Sequence, residues 1–118
     1  MINLDSAVLY TRDIKTITKF YQDIIGLKLE YTDGDHYVSF IFPNGCRLGI
    51  NKSEFNREQP GSQTFFITVD NIEAEYQRFK DLGYEFFEDY EEYDWGKYFA
   101  ILDPDGNKVG FIDRNANS

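Results

Sequence analysis

Basic residues are scarce in this sequence: 12 Lys and Arg stand against 21 Asp and Glu, a formal net charge of −9. A chain of that sign repels phosphate backbones and anionic lipid surfaces, so nucleic acid and membrane are excluded as partners. The single cysteine, Cys46, excludes an internal disulfide and suits a reducing compartment. It follows a turn and has no evident general base, such as a histidine, near it in sequence, so it reads as an incidental or core thiol rather than a nucleophile. The only histidine, His36, follows Asp33-Gly34-Asp35 and reads as a solvated turn residue. No stretch approaches the roughly 20 apolar residues of a membrane span. The opening residues, Met1-Ile2-Asn3-Leu4-Asp5, carry no basic segment followed by an apolar one. No secretion signal is therefore expected, and the expected compartment is the cytoplasm.

Aromatic residues are abundant. Phe, Tyr and Trp make up 18% of the 118 residues, which argues against disorder despite the charge. Such side chains fill a core or line a pocket for a flat ligand. The length fits a single domain covering residues 1–118. The charge is uneven. Residues 1–58 hold seven bases and eight acids, whereas residues 59–118 hold five and thirteen. Six of those acids fall within Glu85–Asp94, which contains no base.

The sequence repeats itself. Pro43-Asn44-Gly45-Cys46-Arg47-Leu48-Gly49-Ile50 and Pro104-Asp105-Gly106-Asn107-Lys108-Val109-Gly110-Phe111 share one pattern of turn, base, apolar residue, glycine and apolar residue. Ser6–Ile14 lies over Thr64–Ile72, Asp23 over Asp81, and Gly26 over Gly83 after one gap. Repeat 1 covers about 1–52, a polar linker 53–62, and repeat 2 about 63–113.

Each repeat reads as βαβββ. Leu4–Thr11 and Gln63–Asp70 are rich in β-branched and aromatic residues and read as strands. Asp13 and Asn71 suit helix N-caps, with apolar residues at helical spacing behind them: Ile14, Ile17, Phe20, Tyr21 and Ile24, then Ile72, Tyr76, Phe79 and Leu82. Gly26 and Gly83 suit left-handed helix ends. Strands follow over Leu27–Thr32, Tyr37–Phe42 and Cys46–Lys52, then over Tyr84–Tyr90, Lys97–Leu102 and Lys108–Asp113. The fold class is α+β: two βαβββ repeats form a cupped mixed β-sheet with helices on its outer face.

Alternation sorts the strand residues by face. Leu9, Leu48, Ile50, Phe65, Ile67, Val69, Val109 and Phe111 fall on faces expected to pack on the helices. Ser6, Tyr10, Arg47, Gly49, Asn51, Thr64, Phe66, Lys108 and Gly110 fall on the opposite faces. That mixture suits a partly apolar cavity wall with polar handles, or an ordinary solvent-facing sheet.

Val8–Asp13, Phe20–Leu27, Val69–Ile72 and Asp103–Asn107 together resemble the vicinal oxygen chelate superfamily, which includes glyoxalase I, extradiol dioxygenases and the fosfomycin- and bleomycin-resistance proteins. The resemblance implies a cupped sheet, often completed across a homodimer. It also implies metal positions on the first, fourth, fifth and eighth strands, where the metalloenzymes carry His or Gln, Glu, His and Glu. Here those positions hold Ser6, Gly49, Thr64 and Gly110. Glycine offers no ligand and neutral hydroxyls are weak ones, so no metal and no cofactor is expected. The segment Trp95-Gly96-Lys97-Tyr98-Phe99 resembles that of the metal-free bleomycin-resistance proteins, which sequester a cationic, flat-ringed drug between subunits.

The segment Tyr84–Trp95 is half acids and half aromatics. It reads either as a trap for a cationic or flat ligand, or as a solvated edge strand whose charges discourage aggregation. Arg47 and Lys108 on the cavity face either neutralise a ligand carboxylate, which suits an anionic or zwitterionic ligand against a cationic one, or carry their charges out to water. The reading that results is a metal-independent protein, not expected to be an enzyme, that captures an aromatic or cationic small molecule in a dimer cleft. The expected ligand-binding residues are Ser6, Tyr10, Tyr37, Arg47, Asn51, Thr64, Phe66, Trp95 and Tyr98. The alternative is a glyoxalase I-like lyase with atypical metal ligands. A third reading is a non-enzymatic subunit whose acidic face binds a basic protein.

Overall fold

A computed structural model describes residues 1–114. The chain divides into two compact units, one of Met1–Gly61 with Pro104–Gly106, the other of Ser62–Asp103 with the residues from Asn107 on. Both show the expected βαβββ order, and the fold is α+β with two mixed four-stranded sheets. Among the described residues no helix is long and apolar enough to cross a membrane.

In the first unit, β1 (Ser6–Thr11), β2 (Lys28–Asp33), β3 (Tyr37–Ile41) and β4 (Arg47–Lys52) are ordered β1-β4-β3-β2. β1 runs parallel to β4, and the other pairs are antiparallel. The helix α1 (Ile14–Lys19) begins as expected: the Asp13 carboxylate accepts from the Thr16 backbone N–H at 3.1 Å and from the Thr16 hydroxyl at 2.7 Å. Its continuation, Phe20–Ile25, is π-helical. The wider turn carries Ile25 rather than the expected Ile24 into the buried set with Phe20 and Tyr21. Gly26 ends the helix at φ 90°, the left-handed conformation glycine adopts without a Cβ clash. Leu9, Ile17, Val38, Phe40, Leu48 and Ile50 form this unit's core.

The second unit repeats the plan with β5 (Thr64–Thr68), α2 (Ile72–Asp81), β6 (Glu88–Tyr93), β7 (Gly96–Leu102) and β8 (Lys108–Arg114), ordered β5-β8-β7-β6. Asn71 caps α2 by accepting from the Ala74 N–H at 3.0 Å. Phe99 and Phe111 stack at 4.8 Å, and Phe79 and Phe86 close around them. This aromatic core separates α2 from the sheet and uses much of the aromatic excess. The Asp103–Asn107 turn is tied inward. Asn107 is 1% exposed, bonds both oxygens of Asp103, and accepts from the Gln63 N–H.

One strand lies elsewhere than expected. β6 begins at Glu88, so Tyr84–Phe87 is a connection and not a strand. Tyr84 and Phe86 turn to the helix, packing at 5.9 Å from Phe79 and 4.6 Å from Tyr76. Only from Phe87, whose N–H donates to the Ala100 carbonyl, does the chain join the sheet. Burial of these rings outweighs the local strand propensity.

Candidate functional site

The face of the second sheet opposite α2 is built by alternation. Lys108, Ile112 and Arg114 project from β8, Phe66 from β5, Tyr98 from β7, and Glu88 and Tyr93 from β6. Together with Trp95 they line a pocket of ≈ 370 Å³. Val109 and Phe111, on the other side of β8, are buried.

Gly110 lies on the pocket side of β8. A Cβ there would meet Phe66 Cδ1 at 2.5 Å and Tyr98 Cε1 at 3.0 Å. The bare glycine lets both rings lie down on the sheet, 5.9 Å apart. Beside them Lys108 Nζ donates to Glu88 Oε1, and the Tyr98 hydroxyl donates to the same oxygen at 3.2 Å. Lys108 also stands 5.7 Å from the centre of the Tyr98 ring and 5.9 Å from that of Phe66. Its pKa is raised, first by the bond to Glu88, so it carries its charge throughout the physiological range. Burial is the main cause raising the Tyr98 phenol, which stays neutral.

The other end of the pocket is set by Trp95. Gly96, at φ 152°, lies so close to β8 that a Cβ would strike the Asp113 carbonyl oxygen. Glycine is thus required where β7 meets β8, and the residue before it turns onto the pocket face. There Trp95 stacks on Tyr93 at 5.2 Å and 6°, and Arg114 places its guanidinium 5.6 Å from the Trp95 ring centre.

The first sheet repeats part of this arrangement. Gly49, the mate of Gly110, has Tyr37 lying over it. Arg47, the mate of Lys108, donates through Nε to both oxygens of Glu30 at 2.9 Å, and the Ser39 hydroxyl donates to Glu30 Oε1 at 2.7 Å. The Arg47 guanidinium beside Glu30, followed by the Ser39 hydroxyl, holds this carboxyl below the usual carboxylate range. Each sheet therefore carries a cation from its fourth strand paired to a glutamate from its second.

A family-level comparison matches residues 3–111 to the Glyoxalase/Bleomycin resistance protein/Dioxygenase superfamily. The chain belongs to that superfamily. Among solved structures, lactoylglutathione lyase from Agrobacterium tumefaciens is 21% identical over 93% of this chain and 92% of its own, with a TM-score of 0.78. The antibiotic binding protein TnmS3 from Streptomyces sp. CB03234 is 21% identical over 98% of both chains, with a TM-score of 0.80. The oxidase ChaP-H2 is also 21% identical, over 99% and 97%, with a TM-score of 0.80. These likenesses carry the fold alone. No curated protein matches.

The four positions where the family resemblance implies metal ligands do not suit a divalent ion by their side-chain chemistry. Ser6 and Thr64 offer neutral hydroxyls. Gly49 and Gly110 offer nothing, and the space a glutamate would enter is filled by Tyr37 at one and by Phe66 and Tyr98 at the other. Among the described residues no three His, Cys, Asp or Glu side chains gather as a metal-holding group. The donor set does not fit a transition metal.

Of the nine residues expected at the site, the second-unit pocket gathers Phe66, Trp95 and Tyr98. Thr64 pairs with Lys108 across β5 and β8 but is exposed and outside the lining. Ser6, Tyr10, Tyr37, Arg47 and Asn51 belong to the first sheet, where Tyr10, Asn51 and Tyr37 form one cross-strand row. Asn51 donates to the Lys52 carbonyl at 2.9 Å. Sequence reasoning missed Glu30 and Arg114, held Glu88 and Tyr93 only as part of the acidic aromatic segment, and did not name Ile112 as a ligand contact. Alternation on β8 carried a signal for Ile112 and Arg114, since both share a face with Lys108. The acidic segment divides between faces. Glu88 reaches Lys108, while Asp89 accepts from the Tyr76 hydroxyl at 2.6 Å and Tyr90 packs 5.3 Å from Tyr76 on the helix side. His36 lies in an exposed turn, 3.3 Å from Glu54.

Proposed function

We propose that this chain is a metal-independent small-molecule-binding protein of the bleomycin-resistance type, which captures a flat aromatic ligand without transforming it. The observation that carries the reading is the aromatic surface over Gly110: Phe66 and Tyr98 lie where the family resemblance implies a carboxylate ligand. The pocket they share with Trp95 and Tyr93 offers ring faces for stacking, with polar groups at both ends to fix orientation. TnmS3, an antibiotic binding protein, shares this fold, so the fold admits this class without choosing it. In this reading the chain acts as a homodimer, the second copy covers the bound ligand, and Ser6, Tyr10, Tyr37, Arg47, Asn51 and Thr64 supply further contacts. Sequestration of a toxic ring compound, as in antibiotic resistance, is the role such a site serves.

Trp95 is the only tryptophan, so its fluorescence reports the pocket directly. Titration with bleomycin and a broad library of flat-ringed compounds is expected to give saturable quenching or a spectral shift for at least one class. A library that never perturbs Trp95 overturns the reading. So does stoichiometric metal in protein purified with zinc, nickel or manganese, which would restore the lyase alternative.

A further inference from the structure

We propose that the pocket of the second unit selects a flat aromatic ligand bearing a carboxylate, and that Arg114 sets this preference by receiving the anionic group. The inference rests on the capture reading above and sharpens it to a ligand class.

The charges lining the pocket decide the sign. They are Glu88, Lys108 and Arg114. Glu88 and Lys108 neutralise each other by direct contact. A cationic ligand would need Glu88 as its counterion and would have to displace Lys108, leaving that ammonium unpaired against Phe66 and Tyr98. Arg114 has no ion-pair partner among the described residues; its one contact of this kind is the Trp95 ring. Among the described residues the lining therefore presents one positive charge without an ion-pair partner, although the chain as a whole carries −9. Glu91 shares this face, opposite Tyr98, but is exposed and lies outside the lining.

The geometry suits a carboxylate joined to a ring. A guanidinium is planar, weakly hydrated, and presents parallel N–H groups that match the two oxygens of a carboxylate. Held over the indole, it gives up less freedom on binding than a free arginine. Along β8, Ile112 separates Arg114 from Gly110, so a ring attached to the carboxylate continues over Ile112 towards Tyr98 and Phe66. Lys108 to Arg114 spans six residue steps, about 20 Å of strand, enough for two or three fused rings.

The test uses the full chain and three matched probes: naphthalene-2-carboxylate, naphthalene-2-methanol and 2-naphthylmethylammonium. The readout is the indole N–H resonance of the sole tryptophan in a two-dimensional NMR titration. The carboxylate is expected to bind about three- to tenfold more tightly than the alcohol, and the ammonium more weakly than either. Arg114→Gln is expected to abolish the preference and Arg114→Lys to keep part of it. Glu88→Gln, which frees Lys108, is expected to enlarge it. An unchanged amide spectrum away from the pocket shows that the variants fold. Tighter binding of the ammonium, or a preference unaltered in Arg114→Gln, overturns the anion inference while leaving capture intact. Failure of all three probes to move the indole resonance counts against capture itself.

Discussion

Tyr37 and Gly49 share one volume: the phenol lies where a side chain at position 49 would begin, and a Cβ there would meet Tyr37 Cε1 at 3.0 Å. Tyr37 sits in β3 and Gly49 in β4, with Gly49 opposite Ser39. The glycine is thus a packing device for its neighbour's ring. Position 110 repeats it with different rings, so one construction serves both sheets.

Gly49→Ala is therefore expected to destabilise the chain, by about 1–3 kcal/mol where overpacking is not relieved. Tyr37→Ala in the same chain removes the obstacle. In a double-mutant cycle by urea denaturation, the cost of Gly49→Ala should be smaller in the Tyr37→Ala background. Equal costs in both backgrounds would show that the ring moves aside freely.

Phe99 is fully buried and touches Tyr76, Phe79, Phe86 and Phe111. It is the hub joining α2 to its sheet. Phe99→Ala leaves a cavity among rings held on every side, and the expected loss is about 3–5 kcal/mol. Chemical denaturation should show this as a lower midpoint. A loss under 1 kcal/mol would mean that the surrounding rings collapse into the space.

The helix cap at Asn71 is a smaller and separable term. Its side chain satisfies the Ala74 N–H, one of the donors a helix start leaves without a partner. Asn71→Ala is expected to cost about 1 kcal/mol, and Asn71→Asp to restore most of that. Thermal melts of the three chains check the order. Asn71→Ala equal to the parent would assign the N–H to water.

Most of the scaffold was legible in the sequence because its signals are local. Asp13, Asn71, Gly26 and Gly83 act within one turn of where they stand, and the alternation of Lys108 through Ile112 follows from strand geometry alone. The failures are non-local. Tyr84–Phe87 has strand composition, but its rings are claimed by Tyr76 and Phe79 on a helix. Ile24 and Ile25 exchange places because a π-turn intervenes. The pairings of Glu30 and Glu88 went unseen because their partners come from a different strand, and register decides such pairs. The repeat held a usable signal: Arg47 and Lys108 are mates, so a carboxylate recurring on the second strand of each repeat was the feature to seek. Arg114 was hidden because its significance comes from Trp95, which reaches it only through the close approach of Gly96 to β8.

Glu30 gives the clearest dependence on pH. Arg47, then Ser39, lower its pKa in the folded chain below the ordinary 4.5, with desolvation opposing them. As pH falls, the unfolded chain takes up this proton before the folded one does. The stabilisation is therefore complete above the unfolded value and is lost as pH drops through the folded one. Asp13, Asp35, Glu73 and Asp89 shift the same way, so the whole chain should lose stability as pH falls below about 5. Glu30→Gln removes one proton from that balance. It is expected to be less stable than the parent at neutral pH and to lose stability less steeply in the acid window. Urea midpoints measured across that window check both parts, and parallel curves for the two chains would show that Arg47 does not hold this carboxylate in solution.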